Sequence, residues 1–446
     1  MIQDRAKQFE TIAKSIWGWS EMGYQEKKSS SLLQKTLKDE GFTIQAGVAD
    51  IPTAFIAEYG SGFPIIGVLA EFDALPGISQ EVATVRKPIA NKKGGHACGH
   101  HLFGTASTAA AITIKKYLTK TNTKGTIRLY GTPAEEGGSG KVYMVRAGLF
   151  DDVDIVLDWH ASDKNAASPA TSMANRSAKF RFYGYSAHAA GAPEKARSSL
   201  DAVEAMNFMV NLMREHIPDG SRIHYVITKG GNAPNVVPDF AEVFYYVRDF
   251  DVDILEKLWT RLINTAEAAA LGTGTKMEYE IIHGNRPVLP NEVAQKVMYD
   301  NLVQVGGISY NRVEKKFAKE IYKTLIEPGL SLNSAQNIQP YQFTKGKGST
   351  DVGDVSWKTP TARLRVATWV PGTSAHTWQA VAAGGMSIGM KGMINASKVL
   401  VGTAIDLYDN PTTIKNAKTE LIERRGPGFN YYSMLGDRNP PLDYRK

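Results

Sequence analysis

Apolar and polar positions change period several times along this chain. Between residues 4 and 40, Phe9, Ile12, Ile16 and Trp17, then Leu32, Leu33 and Leu37, recur largely at three- and four-residue intervals. Such spacing predicts two amphipathic helices, broken near Gly23. Two strand-like runs follow, over 53–59 and 65–70. An Ala- and Thr-rich stretch over 102–119 reads as a helix, and the runs 126–130 and 153–159 read as strands. Strands alternating with helices predict an α/β unit with a mainly parallel sheet.

Near residue 176 the pattern changes. A half-exposed strand over 178–183 leads to a helix over 198–215 and strands at 222–229 and 240–249. A helix over 252–270 and a strand over 276–282 complete a β-α-β-β-α-β order, which resembles a ferredoxin-like sandwich. The α/β pattern then resumes. The predicted organisation is therefore a catalytic domain in two parts, 1–175 and 286–446, with an α+β domain over 176–285 inserted between them. Residues 306–350 are polar, rich in Gly and Lys and weakly periodic, and are expected to be irregular. A late strand over 363–369, a closing helix over 391–408 and an extended arm from Gly426 finish the chain.

Composition narrows the classes. At 446 residues the chain exceeds one ordinary domain, and 43% hydrophobic residues can supply a sizeable core. No apolar run approaches the roughly 20 residues of a membrane helix, and the first residues lack an apolar signal core. The single cysteine excludes an internal disulfide framework. A cytoplasmic protein is the simplest expectation. The net charge of +7 comes from 52 basic and 45 acidic residues. They are intermixed, with only short clusters such as Lys345-Gly346-Lys347, unlike the basic stripes of nucleic-acid binders. Nucleic-acid and membrane partners are not expected. A slightly basic surface favours an acidic small substrate.

The stretch Gly94-Gly95-His96-Ala97-Cys98-Gly99-His100-His101 holds the one cysteine and three of the nine histidines. Thiolate sulfur and imidazole nitrogen are donors that a zinc-like ion prefers, and such an ion takes about four of them. Polar clusters at the ends of three predicted strands offer further candidates: Glu71-Phe72-Asp73, Glu135-Glu136 and His160. His376 follows the late strand. Parallel α/β sheets build their sites at carboxyl strand ends. Singly, each residue has an ordinary explanation. His160 fits a hydrogen-bonded strand-end histidine, His376 a surface loop, and the glutamates a helix N-terminus. Together, Cys98, His100, Glu136, His160 and His376 suit two ions sharing a bridging ligand. A thiolate can bridge. Of two adjacent glutamates, one can ligate while the other moves a proton.

Two other patterns fail in context. Gly137-Gly-Ser-Gly-Lys141 is reminiscent of a phosphate loop, but Glu135 and Val142 stand where Gly and Ser/Thr belong. Gly385-Met-Ser-Ile-Gly389 has nucleophile-elbow spacing without a preceding strand.

The ordered set Asp73-Ala-Leu-Pro76, His96-Ala-Cys-Gly-His100, Pro133-Ala-Glu-Glu136, His160, Ala187-His188-Ala189, Asn235-Val-Val-Pro238 and His376 resembles the aminoacylase/carboxypeptidase-type di-metal metallopeptidases. More narrowly it resembles their amidohydrolase branch, which holds hippurate hydrolases, auxin-conjugate hydrolases and p-aminobenzoyl-glutamate hydrolases. The segment 306–350 and the Pro-rich tail liken it to the B-type chains of the last group. The resemblance implies two divalent metal ions, Zn or Mn, with Cys98 bridging and His100, Glu136, His160 and His376 completing the sites. It implies Glu135 as general base and then acid, and Asp73 as a residue orienting a ligand. His188 would stabilise the oxyanion, reaching the partner subunit's site. Asn235 and Arg248 would hold the substrate carboxylate. The inserted domain would be a lid and dimerisation domain of a homodimer, with a heterodimer as the alternative. The implied reaction is hydrolysis of an N-acyl amino acid such as p-aminobenzoyl-glutamate. The alternatives are a dipeptidase, a general N-acyl-amino-acid deacylase, or a non-catalytic partner of a homologous hydrolase chain. Two positions depart from the branch: His101 replaces an Asp, and Glu71 opens an acidic motif that commonly begins with Asp.

Overall fold

A computed structural model describes residues 2–445. Helices α1 (Ala6–Trp19) and α2 (Lys27–Asp39) open the chain. Phe9, Ile12 and Ile16 on one and Leu33 and Leu37 on the other are buried, so the three- and four-residue spacing becomes one inward face per helix. There follow β1 (Thr43–Ala46), β2 (Phe55–Ser61), β3 (Ile65–Ala70), α3 (His100–Thr121), β4 (Gly125–Gly131), α4 (Gly140–Arg146) and β5 (Ile155–Ser162).

The second unit runs β6 (Ala174–Tyr183), α5 (Ser199–Met213), β7 (Arg222–Lys229), β8 (Phe240–Asp249), α6 (Val252–Thr273) and β9 (Lys276–Asn285). The chain then returns through α7 (Glu292–Val305), α8 (Arg312–Tyr322), α9 (Val352–Lys358), β10 (Thr361–Ala367), α10 (Trp378–Gly384), α11 (Ser387–Asp409) and α12 (Pro411–Arg425).

The larger sheet has the order β1-β2-β4-β3-β5-β10. β3 lies parallel to β4 and β5, and β10 parallel to β5, while β1 and β2 form an antiparallel edge. Every residue of β3 is buried, as expected of a strand covered on both faces. Helix α3 packs on β3 and against α11. The smaller sheet has the order β7-β8-β6-β9, all antiparallel, which is ferredoxin-like. Ala178, Phe180 and Phe182 of β6 and Val243, Tyr245 and Val247 of β8 alternate inward and pack with α5 and α6 in a core of their own. Among the described residues no helix is long and apolar enough to cross a membrane.

Three details differ from the sequence expectation. Helix α8 lies inside the stretch expected to be irregular. Its apolar residues Phe317, Ala318, Ile321 and Tyr322 form one face that packs on a small core with Ile308 and Ala335, and a capping box between Asn311 and Glu314 fixes its start. Helix α12 follows α11 directly, with Pro411 in its first turn. Strand β5 continues to Ser162 because β10 pairs with it as far as Ala367. His160 therefore sits within the strand, not beyond it. The arm after α12 has neither helix nor strand.

Candidate metal centre

Gly99 precedes α3 with φ +79°, and a Cβ there would lie 2.4 Å from Ala161 Cβ. Only glycine lets the helix begin this close to β5. That start sets His100 and Cys98 beside His160. The loop after β4 supplies the acidic pair. Ala134 (φ 57°) and Ser139 (φ 59°) hold left-handed conformations around it, as does His376 (φ 62°) on its own loop. Non-glycine residues in this region cost of order 1–3 kcal/mol each and tend to gather at functional sites. Here tertiary contacts fix them. The Ala134 N–H donates to Glu26 Oε1 (2.9 Å), and Ser139 Oγ lies 2.5 Å from His283 Nδ1 of β9.

The five residues expected to be ligands come together in two groups that share one atom. Cys98, His100 and His160 offer donor atoms within 4.8 Å of one another, and so do Cys98, Glu136 and His376. Cys98 Sγ is 3.4 Å from His160 Nε2, and His376 Nε2 is 3.2 Å from Glu136 Oε1. The opposite ring nitrogens of the buried His100 and the half-buried His160 are occupied. His160 Nδ1 donates to the Ala161 carbonyl (2.7 Å), and His100 Nδ1 donates to Asp73 Oδ1 (2.9 Å). Such bonds orient an imidazole so that its Nε2 faces an ion. Asp73 has a second task, since its Oδ2 accepts from the Glu136 N–H (2.9 Å). One carboxylate thus positions two of the candidate ligands.

Whether these residues fit metal ions can be tested on their unpaired atoms. His100 Nε2, Glu136 Oε1 and Glu71 Oε2 are buried and make no hydrogen bond: His100 Nε2 and Glu71 Oε2 only face each other at 3.0 Å, and Glu136 Oε1 only faces His376 Nε2 at 3.2 Å. Buried polar atoms are normally paired, and an orphan costs about 1–3 kcal/mol. Here they converge in clusters of thiol, imidazole and carboxylate, a donor set suited to zinc-like ions. A cation on these clusters would satisfy each orphan, so the residues fit.

The electrostatics point the same way. Burial lowers the tendency of His100 to protonate, but the Glu71, Cys98 and Asp73 charges outweigh it and its pKa is raised. The pocket's field calls for positive charge at that ring. Burial and then Arg365 pull His160 down to about 3, leaving it a neutral donor. Burial, with Glu136 next, pushes the Cys98 thiol up, so the thiolate needs a cation to form. Glu135 is raised well above the carboxylate range, first by burial and then by the Glu71, Glu136 and Asp351 charges.

The remaining expected residues lie on the smaller sheet. Arg248 is near the end of β8, its guanidinium 5.4 Å from the Tyr246 ring centre and its Nη1 3.5 Å from Ser349 Oγ. That end of the sheet reaches the 135–139 loop through the Ser139–His283 contact. His188 and Asn235 are together but elsewhere. The Ala189 N–H donates to the Asn235 carbonyl (3.0 Å), and both residues are exposed in loops at the other end of the sheet. Eight residue steps along β8 lead from Phe240, beside that loop, to Arg248, which is roughly 26 Å of strand. Within one chain, these two are not gathered with the ligand cluster.

A buried charge cluster beside His100 escaped the sequence reading. Lys141 Nζ is 2.6 Å from Glu71 Oε1 and 2.7 Å from Asp351 Oδ1, and Glu71 Oε2 is 3.0 Å from His100 Nε2. The apparent phosphate-loop lysine is thus the centre of an ion triad. Glu71 also forms a third possible donor group with His100 and Glu135. Its place at the end of β3 was the available signal; nothing local marked Lys141 or Asp351. His101 turns away from the cluster, with Nε2 3.0 Å from the Gly384 carbonyl, and ties α3 to α10. Ser387 of the apparent elbow donates to Glu314 Oε1 (2.7 Å) at the start of α11.

Comparison with known proteins fits this arrangement. Residues 67–320 match Peptidase family M20/M25/M40. The chain is 39% identical to the B-type chain of p-aminobenzoyl-glutamate hydrolase from Escherichia coli (strain K12), over 94% of this chain and 93% of that protein. It is 27% identical to the Xaa-Arg dipeptidase of Mus musculus, over 94% of this chain and 90% of the other. A solved dinuclear metal-binding peptidase of the M20 family from Bacillus subtilis shares the fold, with TM-score 0.60 and 16% identity over 91% of this chain and 99% of that one. With the family match spanning more than half of the sequence and one relative aligned almost end to end, the chain belongs to peptidase family M20/M25/M40.

Proposed function

We propose that this protein is a di-metal amidohydrolase that cleaves N-acyl amino acids carrying a free carboxylate, with an aroyl-glutamate such as p-aminobenzoyl-glutamate as the first candidate. The observation that carries the proposal is the shared Cys98, common to two donor clusters with Glu135 beside them. The 39% identity to a chain of a p-aminobenzoyl-glutamate hydrolase supports the substrate class. Cys98, His100 and His160 would hold one ion, and Cys98, Glu136 and His376 the other. Two divalent ions, zinc or manganese, supply polarisation of a carbonyl and a water of lowered pKa.

The chain's own residues do the rest. Glu135 takes the proton from the attacking water and later gives it to the leaving amine. Asp73 keeps His100 and Glu136 in place. Arg248 holds the substrate carboxylate, together with Asn235. His188 stabilises the developing oxyanion. The exposure of His188 and Asn235, a sheet length from Arg248, supports their serving the partner subunit's site. The unit over 176–285 is then both lid and dimerisation domain of a homodimer. Exposed Phe208 and Leu212 on α5 and Tyr225, Val226 and Ile227 on the unpaired edge of β7 support that interface. A free thiol as ligand suits a reducing, cytoplasmic setting.

A dipeptidase is the second reading, favoured by the full-length similarity to an Xaa-Arg dipeptidase. The Escherichia coli relative is named as one chain of a hydrolase, which also leaves a heterodimer to be tested.

The test is amine release by the purified chain, with Mn or Zn, from p-aminobenzoyl-glutamate, other N-acyl amino acids and dipeptides. Release that a chelator abolishes and added metal restores is expected, with the aroyl-glutamate ranked first. A dipeptide ranked first would favour the second reading. No release from any substrate, with metal bound at about two equivalents, would overturn the proposal for the isolated chain.

A further inference from the structure

The arm over 426–445 reaches the candidate metal centre, and it is pinned along its length by both parts of the larger unit and by the smaller one. Arg286 sits among four rings, with centres at 5.3 Å for Trp357, 5.0 Å for Phe429, 5.7 Å for Tyr431 and 4.4 Å for Tyr432. Met434 is buried with Ala174, Val252 and Leu255. The carbonyls of Gly436 and Arg438 accept from Arg146 Nη1 at 2.7 and 2.8 Å, and that of Leu442 from Gln25 Nε2 at 2.7 Å. Tyr444 meets Tyr24 edge-on, ring centres 5.5 Å apart. The final contacts fall on a candidate ligand. The hydroxyl of Tyr444 (3.2 Å) and Nη2 of Arg445 (2.8 Å) both donate to the Glu136 carbonyl.

Two guanidinium groups therefore approach the same place from different elements. Arg445 comes from the arm and Arg248 from β8, and the Tyr246 hydroxyl feels the charge of both, together with that of Glu136. Neither arginine has a carboxylate within ion-pair distance among the described residues. Arg248 Nε is buried with no partner at all. By contrast, Arg438, a few residues earlier on the arm, pairs with Glu280 at 2.9 Å. Two cations of like sign near one loop repel unless anions join them, and a planar guanidinium is the group best shaped to receive a carboxylate. An N-acylated neutral amino acid offers one carboxylate. An N-acylated acidic amino acid offers two.

We propose that Arg445 is a specificity-determining residue that receives the side-chain carboxylate of an acidic amino acid while Arg248 receives its α-carboxylate. The inference rests on the reading of the site as one for N-acyl amino acids, and it assigns the arm a part in choosing among them. The arm's other contacts hold Arg445 in position, and its partial burial strengthens the pairing.

The test compares N-benzoyl-glutamate with N-benzoyl-glutamine, which are nearly isosteric and differ in the side-chain charge and in one acceptor replaced by an N–H donor. Binding of each to the metal-loaded Glu135→Gln chain is measured by calorimetry, with and without Arg445→Gln. Hydrolysis of the same pair is followed in the chain with Glu135 intact. Arg445→Gln is expected to cut the glutamate-over-glutamine preference about 10- to 100-fold, mostly through KM and Kd. Arg445→Lys, which keeps a cation, should retain most of it. A preference unchanged within about twofold, with both ligands weakened alike, would make the arm a structural strap and overturn the proposal. Failure of hydrolysis in the intact chain counts against the amidohydrolase reading, whereas the binding preference decides the role of Arg445 separately.

Discussion

Replacing Glu135 by Gln leaves a folded chain that binds metal and turns over about 10²–10⁴-fold more slowly. The ligand clusters do not need this side chain: Cys98 joins His100 and His160 in one and Glu136 and His376 in the other. What is lost is a carboxylate able to accept a proton and return it. The surroundings of Glu135 sharpen the prediction. Burial, then the charges of Glu71, Glu136 and Asp351, raise its pKa. A general base is active only when ionised, so kcat/KM should fall on the acid side of the pH profile, and that limb should be missing from the residual activity of the variant. Metal analysis with a pH–rate profile checks both points. Loss of bound metal in Glu135→Gln, or activity within a few-fold of the parent, would remove Glu135 from the proposed mechanism.

Lys141→Met should be the most destabilising single change outside the apolar cores. The ammonium is fully buried between Glu71 and Asp351, and both carboxylates are buried too. Burial lowers the pKa of Lys141, but Asp351 and Glu71 outweigh it and the lysine is held charged. Taking away the cation leaves two facing carboxylates with no counterion. Breaking a buried pair in this way costs about 3–5 kcal/mol. The apparent unfolding midpoint should fall by about 5 °C or more. Adding Asp351→Asn to Lys141→Met should recover part of the loss, because one uncompensated charge is removed. A midpoint unchanged in Lys141→Met would show that the triad contributes little.

Legibility from sequence followed the range of the interactions. Strands β7 and β8 read to the residue, since alternation and flanking turn residues are local signals. The candidate ligands read well because glycines and adjacent acids mark turns at strand ends. Helix α8 did not, since its short apolar face, Phe317, Ala318, Ile321 and Tyr322, is diluted by charged neighbours within a polar, Gly- and Lys-rich segment. Lys141 and Asp351 lie 210 residues apart, and no local pattern announces an ion pair over that distance. The same holds for Arg445, whose contact with Glu136 spans 309 residues. The arm read as extended, but where it ended could not be read.

The insertion of β6–β9 into the middle of the chain also dictates an order of assembly. All four strands of the smaller sheet, with its two helices, lie within residues 174–285, so their contacts close over short stretches of chain. The larger sheet cannot be finished until β10, at 361–367, pairs with β5, about 200 residues behind it. Loop closure of that length is entropically slow. During refolding, amide protons of β6 and β8 should therefore become protected from exchange before those of β5 and β10; simultaneous protection would indicate one cooperative unit. As a nascent chain, the protein would carry a finished insert flanked by an incomplete catalytic sheet. The contacts of Tyr444 and Arg445 on the loop that carries Glu136 would form only after β10 has emerged.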